Sequence, residues 1–205
     1  EELWFYLTTV ICAGAIAVSI LLVNTTKPLE LAFREGYFQV VSIITCTGFA
    51  SADFLFWPAT GTVLLFMLMF SGGSTGSTSG GIKMARHLIV FKNLKSVFIR
   101  LIHPKTIPVI KLNGKIIDER TNISIISFIM LYIFMFLVGT VILTANGSDP
   151  VTSASSVATC MAGIGPGLGT VGPMRNYSDI PEISKVVLSL IMIIGWLEIV
   201  TVCRN

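Results

Sequence analysis

Three long apolar runs limit what this chain can fold into. Residues 3–23 and 122–145 contain no Asp, Glu, Lys or Arg, and residues 186–203 contain Glu198 alone. Crossing ~30 Å of hydrocarbon takes ~20 helical residues, and each run is close to that length. Charged residues make up only 12% of the chain, against about 25% in soluble domains, so there is too little polar surface to cover a globule. The first run has no basic segment ahead of it and no small-residue cleavage site behind it, so it is not a secretory signal. The expected fold class is an all-α integral membrane protein.

The net charge is +3, but its placement says more. Nine of the fourteen basic residues fall between residues 82 and 121: Lys83, Arg86, Lys92, Lys95, Arg100, Lys105, Lys111, Lys115 and Arg120. In a membrane chain this bias places the stretch in the cytoplasm rather than on nucleic acid. Cys12, Cys46, Cys160 and Cys203 have neither metal-ligand nor C-x-x-C spacing and read as small buried residues.

The pattern is written twice. Residues 3–23 form a spanning helix. Residues 29–44 form a helix too short to cross, followed by Thr45-Cys46-Thr47-Gly48-Phe49. Residues 57–71 are an apolar stretch leading into ten residues made only of Gly, Ser and Thr. A basic amphipathic helix is expected over 82–102. Residues 103–121 are a polar linker with an Asn113-Gly114 turn signal. The second copy begins with the spanning run 122–145. A short helix over 151–161 follows, with Ser148 or Asp149 as N-cap and Pro150 in its first turn. Next come the glycine-rich residues 162–172, then a last helix opened by Pro181 and Glu182. Gly48 and Gly165 are equivalent points, 117 positions apart. The units are residues 1–102, 103–121 and 122–205.

A 14-residue helix is ~21 Å long and ends inside the bilayer. Irregular backbone at that depth is tolerated only in protein or beside a watery cavity. The helix C-terminus carries ~0.5 of a negative charge and unpaired carbonyls, which are the needs of a cation site. Thr45, Cys46, Thr47, Gly48 and Phe49 fit that role, because glycine lets successive carbonyls turn toward one axis. Gly163, Ile164, Gly165, Pro166 and Gly167 are the second such set. Glycines that merely allow close helix packing are the alternative. The G-x-G-x-x-G match at residues 167–172 lacks the strand and βαβ unit that dinucleotide binding needs. No nucleophile–base pair, metal cluster or phosphate loop stands out, so the chain does not read as an enzyme.

The Gly/Ser/Thr run is Gly72, Gly73, Ser74, Thr75, Gly76, Ser77, Thr78, Ser79, Gly80 and Gly81. The apolar stretch before it reaches only ~22 Å, so the run begins within the membrane. With little to pack and great backbone freedom it reads as a gate, and a plain linker is the alternative. Glu198 lies in an apolar helix, where a carboxylate costs ~2.5–3.5 kcal/mol unless it finds a partner. Lys83 is the expected partner, with Arg86 next, unless Glu198 snorkels to the interface.

These motifs together resemble the Trk/Ktr/HKT superfamily of cation transporters, most closely its TrkH branch. T-C-T-G-F-A is similar to a third-repeat filter of that family and G-I-G-P-G-L-G to a fourth. S-G-G-S-T-G-S-T-S-G-G-I-K is similar to the intramembrane loop of its third repeat, and Leu197-Glu198-Ile199 to the end of its last helix. Trp196 stands where the family commonly has arginine, and Ala162-Gly163 where amide side chains are common. The resemblance implies two of four helix–pore-loop–helix repeats around one potassium pore, as in a potassium-channel pore domain, with potassium as the transported ion and no resident cofactor. It also implies a missing N-terminal half or other subunits, a homo-oligomer in the inner (plasma) membrane, and a cytoplasmic nucleotide-binding regulatory subunit. A secondary transporter with broken helices and a non-conducting assembly module are the other readings.

Overall fold

The computed structural model describes residues 1–103 and 109–196, whose regular elements are helices apart from one small hairpin. Helix α1 (Glu2–Asn24) has 23 residues, ~35 Å of rise, and α5 (Glu119–Ala145) has 27, ~40 Å. Both are long and apolar enough to cross a bilayer. Apolar side chains such as Trp4 and Ile11 on α1, and Met130 and Phe134 on α5, face outward.

Each long helix is followed by a short one packed against it. Helix α2 (Leu29–Ile44) has the bounds the sequence implies, with Pro28 fixing its start. It crosses α1 closely where Gly36 meets the backbone of Val18. Helix α6 (Pro150–Ala162) is one residue longer at each end than expected. Asp149 is its cap: the carboxylate accepts from the N–H groups of Val151 and Thr152, with Pro150 at the first position. Helices α5 and α7 (Glu182–Trp196) pack on α6, α5 approaching through Gly139 against Val157 and Ile191.

The helix expected over 57–71 is shorter, and α3 spans only Ala59–Leu68. Pro58 has no N–H to continue a helix backward, and residues 54–56 form a separate single turn capped by Asp53. At the far end the chain leaves the helix to form a parallel bridge between Ser71 and Ile82. Gly72 N–H donates to the Ile82 carbonyl (2.8 Å), Ile82 N–H to Phe70 (3.3 Å) and Met84 N–H to Gly73 (3.1 Å). The first two bonds use the backbone of Ile82, so α4 (Met84–Ile102) begins two residues later than expected. Beyond α4, strands β1 (Lys111–Leu112) and β2 (Lys115–Ile116) pair around Asn113 and Gly114, both at positive φ.

The repeats share apolar contacts. Phe66, Phe70 and Phe136 stack together, tying the end of α3 to α5. Arg86 on α4 lies 3.9 Å over the Phe128 ring of α5. Asn93 on α4 and Asn122 on α5 hold each other through both side-chain amides, at 2.7 and 3.0 Å.

Candidate functional site: two glycine turns and the loop beneath them

Both short helices end in turns built on one plan. In the first, the Thr47 N–H donates to the Ser42 carbonyl (3.0 Å). In the second, Ile164 N–H donates to Thr159 (2.9 Å). The residues correspond at the same offset of 117. So do the left-handed positions: Cys46 (φ 55°) with Gly163 (70°), and Gly48 (74°) with Gly165 (108°). Two positive-φ residues separated by one other reorient successive peptides, so carbonyls can be presented to one side. Cys46 is the exception to the glycine rule, since a side chain in this region costs about 1–2 kcal/mol.

The turns are anchored differently. Ser42 on α2 donates its hydroxyl to the Phe49 carbonyl at 2.6 Å, and Thr47 Oγ1 lies 3.2 Å from Ser42 Oγ. Thr45 Oγ1 turns back to the Val41 carbonyl at 2.7 Å. In the second turn the anchor comes from chain beyond it: Tyr177 donates its hydroxyl to the Gly165 carbonyl at 2.6 Å, 3.2 Å from Thr159 Oγ1. Ser155 braces the following segment, accepting from Leu168 N–H at 2.9 Å. Ser42, Thr159, Ser155 and Tyr177 were not singled out from sequence. Extending the 117 offset outward from Gly48 reaches Ser42 and Thr159, whereas Tyr177 has no local signal.

The two turns touch. A β-carbon on Gly48 would overlap the Ile164 carbonyl oxygen and lie 3.2 Å from Pro166 Cδ. Gly163 and Gly165 are different, because a β-carbon on either would meet nothing within 4 Å. A cavity of about 350 Å³ opens beside this second turn, lined in part by Thr159, Gly163, Gly165, Tyr177 and Lys185.

The Gly/Ser/Thr run folds back on itself, its ends joined by the Ser71–Ile82 bridge. Ser79 Oγ accepts from Gly73 N–H at 2.9 Å and lies 2.8 Å from Ser77 Oγ. Its Gly80 sits against both half-helix ends: Cys46 Sγ is 3.9 Å from the Gly80 carbonyl, and a β-carbon on Gly80 would lie 2.5 Å from the Ala162 carbonyl oxygen. Gly195 on α7 presses as closely on the Met161 carbonyl. Thus the structure brings residues 45–49, 163–167 and the Gly80 end of the loop together. The Lys83 ammonium is occupied by the loop, 2.6 Å from the carbonyls of both Ser77 and Ser79. Its expected partner Glu198 lies outside the described residues.

The chain as a whole has known counterparts. The family model for TrkH, described as cation transport protein, matches residues 3–203. The chain belongs to the TrkH family. The Trk system potassium uptake protein TrkH of Halomonas elongata is 35% identical over 186 residues, 91% of this chain and 38% of that protein. The protein of the same name from Escherichia coli is 34% identical over 178 residues, 87% of this chain and 36% of its own length. The crystal structure of the potassium transporter TrkH from Vibrio parahaemolyticus superposes with a TM-score of 0.90 at 30% identity, covering 100% of this chain and 44% of that one. The chain therefore spans well under half the length of these TrkH relatives. Its all-helical membrane fold is theirs.

Proposed function

We propose that this chain forms two of the repeats around a potassium-conducting pore, with residues 1–102 and 122–205 as the repeats and 103–121 as a cytoplasmic linker. Residues 45–49 and 163–167 supply filter carbonyls, and residues 72–81 are the gate. The observation that carries the reading is the meeting of two matched left-handed turns, each at the C-terminal end of a half-length helix. The dipole ends of α2 and α6 favour a cation there, and backbone carbonyls can replace its water shell. Potassium as the ion follows from the names of the relatives.

Two further repeats, on the same or another chain, complete the ring. The pore lies in the inner (plasma) membrane as a homo-oligomer, regulated by a cytoplasmic nucleotide-binding partner. The basic stretch from Lys83 to Arg120 sets the orientation, with the turns opening outward. A crystal of the full-length protein soaked in rubidium or thallium tests the reading. Anomalous density beside Gly48 and Gly165 is expected, and density confined to other places would overturn it. Membrane-impermeant labelling of a cysteine at Lys111 is expected only from the inner side.

A further inference from the structure

Two charged side chains meet the loop from outside it: Glu2 of α1 accepts from the N–H and hydroxyl of Thr75, and the Lys83 ammonium reaches the Ser77–Ser79 arm nearest the turns. We propose that the Lys83 ammonium is the tether that holds this loop in place, standing as a fixed cation among the loop's own carbonyls. This rests on reading residues 72–81 as the gate, and it names the group that holds the arm of the gate nearest the turns.

The geometry uses the whole ammonium group. An ammonium has three N–H donors. The carbonyls of Ser77 and Ser79 each lie 2.6 Å from Lys83 Nζ, and Ser77 Oγ lies 3.4 Å away. Charge-assisted bonds of this kind are stronger than neutral ones. The same two serines organise the rest of the loop: their hydroxyls meet at 2.8 Å, and Ser79 Oγ takes the Gly73 N–H from the opposite arm. Gly80, which touches both half-helix ends, is the next residue after Ser79. Holding the Ser79 carbonyl therefore fixes the part of the loop nearest the turns.

Two other features of the place disfavour a cation. Lys83 is the N-cap of α4 and only 9% exposed. The N-terminal end of a helix carries a partial positive charge, which repels an ammonium. Burial penalises the charge as well. The loop carbonyls offset both costs, and irregular backbone at membrane depth gains the donors it needs. If the loop departs, the ammonium is left beside the helix end without those oxygens. Moreover, the Lys83 carbonyl accepts from Arg86 N–H (2.9 Å) and His87 N–H (3.3 Å), which fixes the residue to the first turn of α4. Any shift of α4 thus moves the tether.

The test is rubidium flux into liposomes holding the full-length protein without its cytoplasmic partner. Lys83→Met is expected to raise basal flux about tenfold, since charged hydrogen bonds are among the stronger ones, with rubidium-over-sodium preference unchanged. Lys83→Arg, which keeps charge and donors, should restore closure. A residue needed only for folding would instead lower flux or selectivity in both variants, and that result overturns the tether. If Lys83→Met does not reach the membrane, Lys83→Gln against Lys83→Arg decides the question: leakier Gln supports the tether, and equal flux overturns it. Deleting residues 74–79 separates this idea from the gate reading. Raised flux on deletion with wild-type flux in Lys83→Met rejects the tether alone. Unchanged basal flux on deletion rejects the gate.

Discussion

The two glycine turns share a backbone and differ in what constrains it. The first is crowded: Gly48 lies against the Ile164 carbonyl, Cys46 holds a left-handed conformation despite its side chain, and Ser42 anchors the turn from its own half-helix. The second is open: Gly163 and Gly165 have free space beside them, and Tyr177 anchors the turn from the chain that follows. Equal backbone paths can thus be reached by packing in one repeat and by a single distant hydroxyl in the other. The first turn should break when volume is added, the second when its anchor is removed.

Substituting the equivalent glycines tests this most severely. Gly48→Ala is expected to abolish discrimination between potassium and sodium, because the methyl meets a carbonyl oxygen and the residue sits at φ 74°. Gly165→Ala meets no atom and should carry only the backbone strain, of order 1–2 kcal/mol, with a smaller loss of selectivity. Competitive rubidium and sodium uptake in the full-length protein reads both, and equal losses would erase the contrast.

Removing the anchors should rank the other way. Tyr177→Phe deletes the hydroxyl that donates to Gly165. At about 0.5–1.5 kcal/mol for one hydrogen bond, selectivity is expected to fall about two- to tenfold. Ser42→Ala leaves the first turn its backbone bond from Thr47 to residue 42 and its contact with the second turn, so a smaller change is expected. A larger loss from Ser42→Ala than from Tyr177→Phe would contradict the picture.

The smallest effects belong to the left-handed pair at Cys46 and Gly163. Cys46→Gly relieves about 1 kcal/mol of backbone strain and adds unfolded-state freedom, which offsets part of it. Gly163→Cys has room for the side chain and should cost about 1 kcal/mol. Thermal unfolding in detergent is expected to move slightly upward for the first and downward for the second. A collapse of the Gly163→Cys protein would mean the second turn is not open.

Much of this was legible because the signals are local. The bounds of α2 are those expected from the stretch 29–44, and the cap of α6 follows from Asp149-Pro150. The equivalence of Gly48 and Gly165 was visible as two glycine runs after two short helices. The early end of α3 was not, because it depends on pairing between Ser71 and Ile82 across a ten-residue loop. Nor was the left-handed Cys46, since composition alone favours glycine there. Tyr177 reaches Gly165 from twelve residues away through irregular chain, where neither helical nor strand period applies. The Lys83 contacts escaped notice for a related reason: the sequence pairs a lysine with an acid more readily than with the carbonyls of neighbouring serines.

The amide pair of Asn93 and Asn122 has a mechanical meaning. Two parallel hydrogen bonds resist sliding of α4 along α5, yet they allow one helix to swing about the other. The pair acts as a hinge pin between the repeats, with Lys83 ten residues up the lever arm, about 15 Å along α4. A tilt of only a few degrees at the pin displaces the ammonium by about an ångström, comparable to the slack in a hydrogen bond. Movement at the C-terminal end of α4 can thereby reach the loop by leverage, without any change in the two glycine turns.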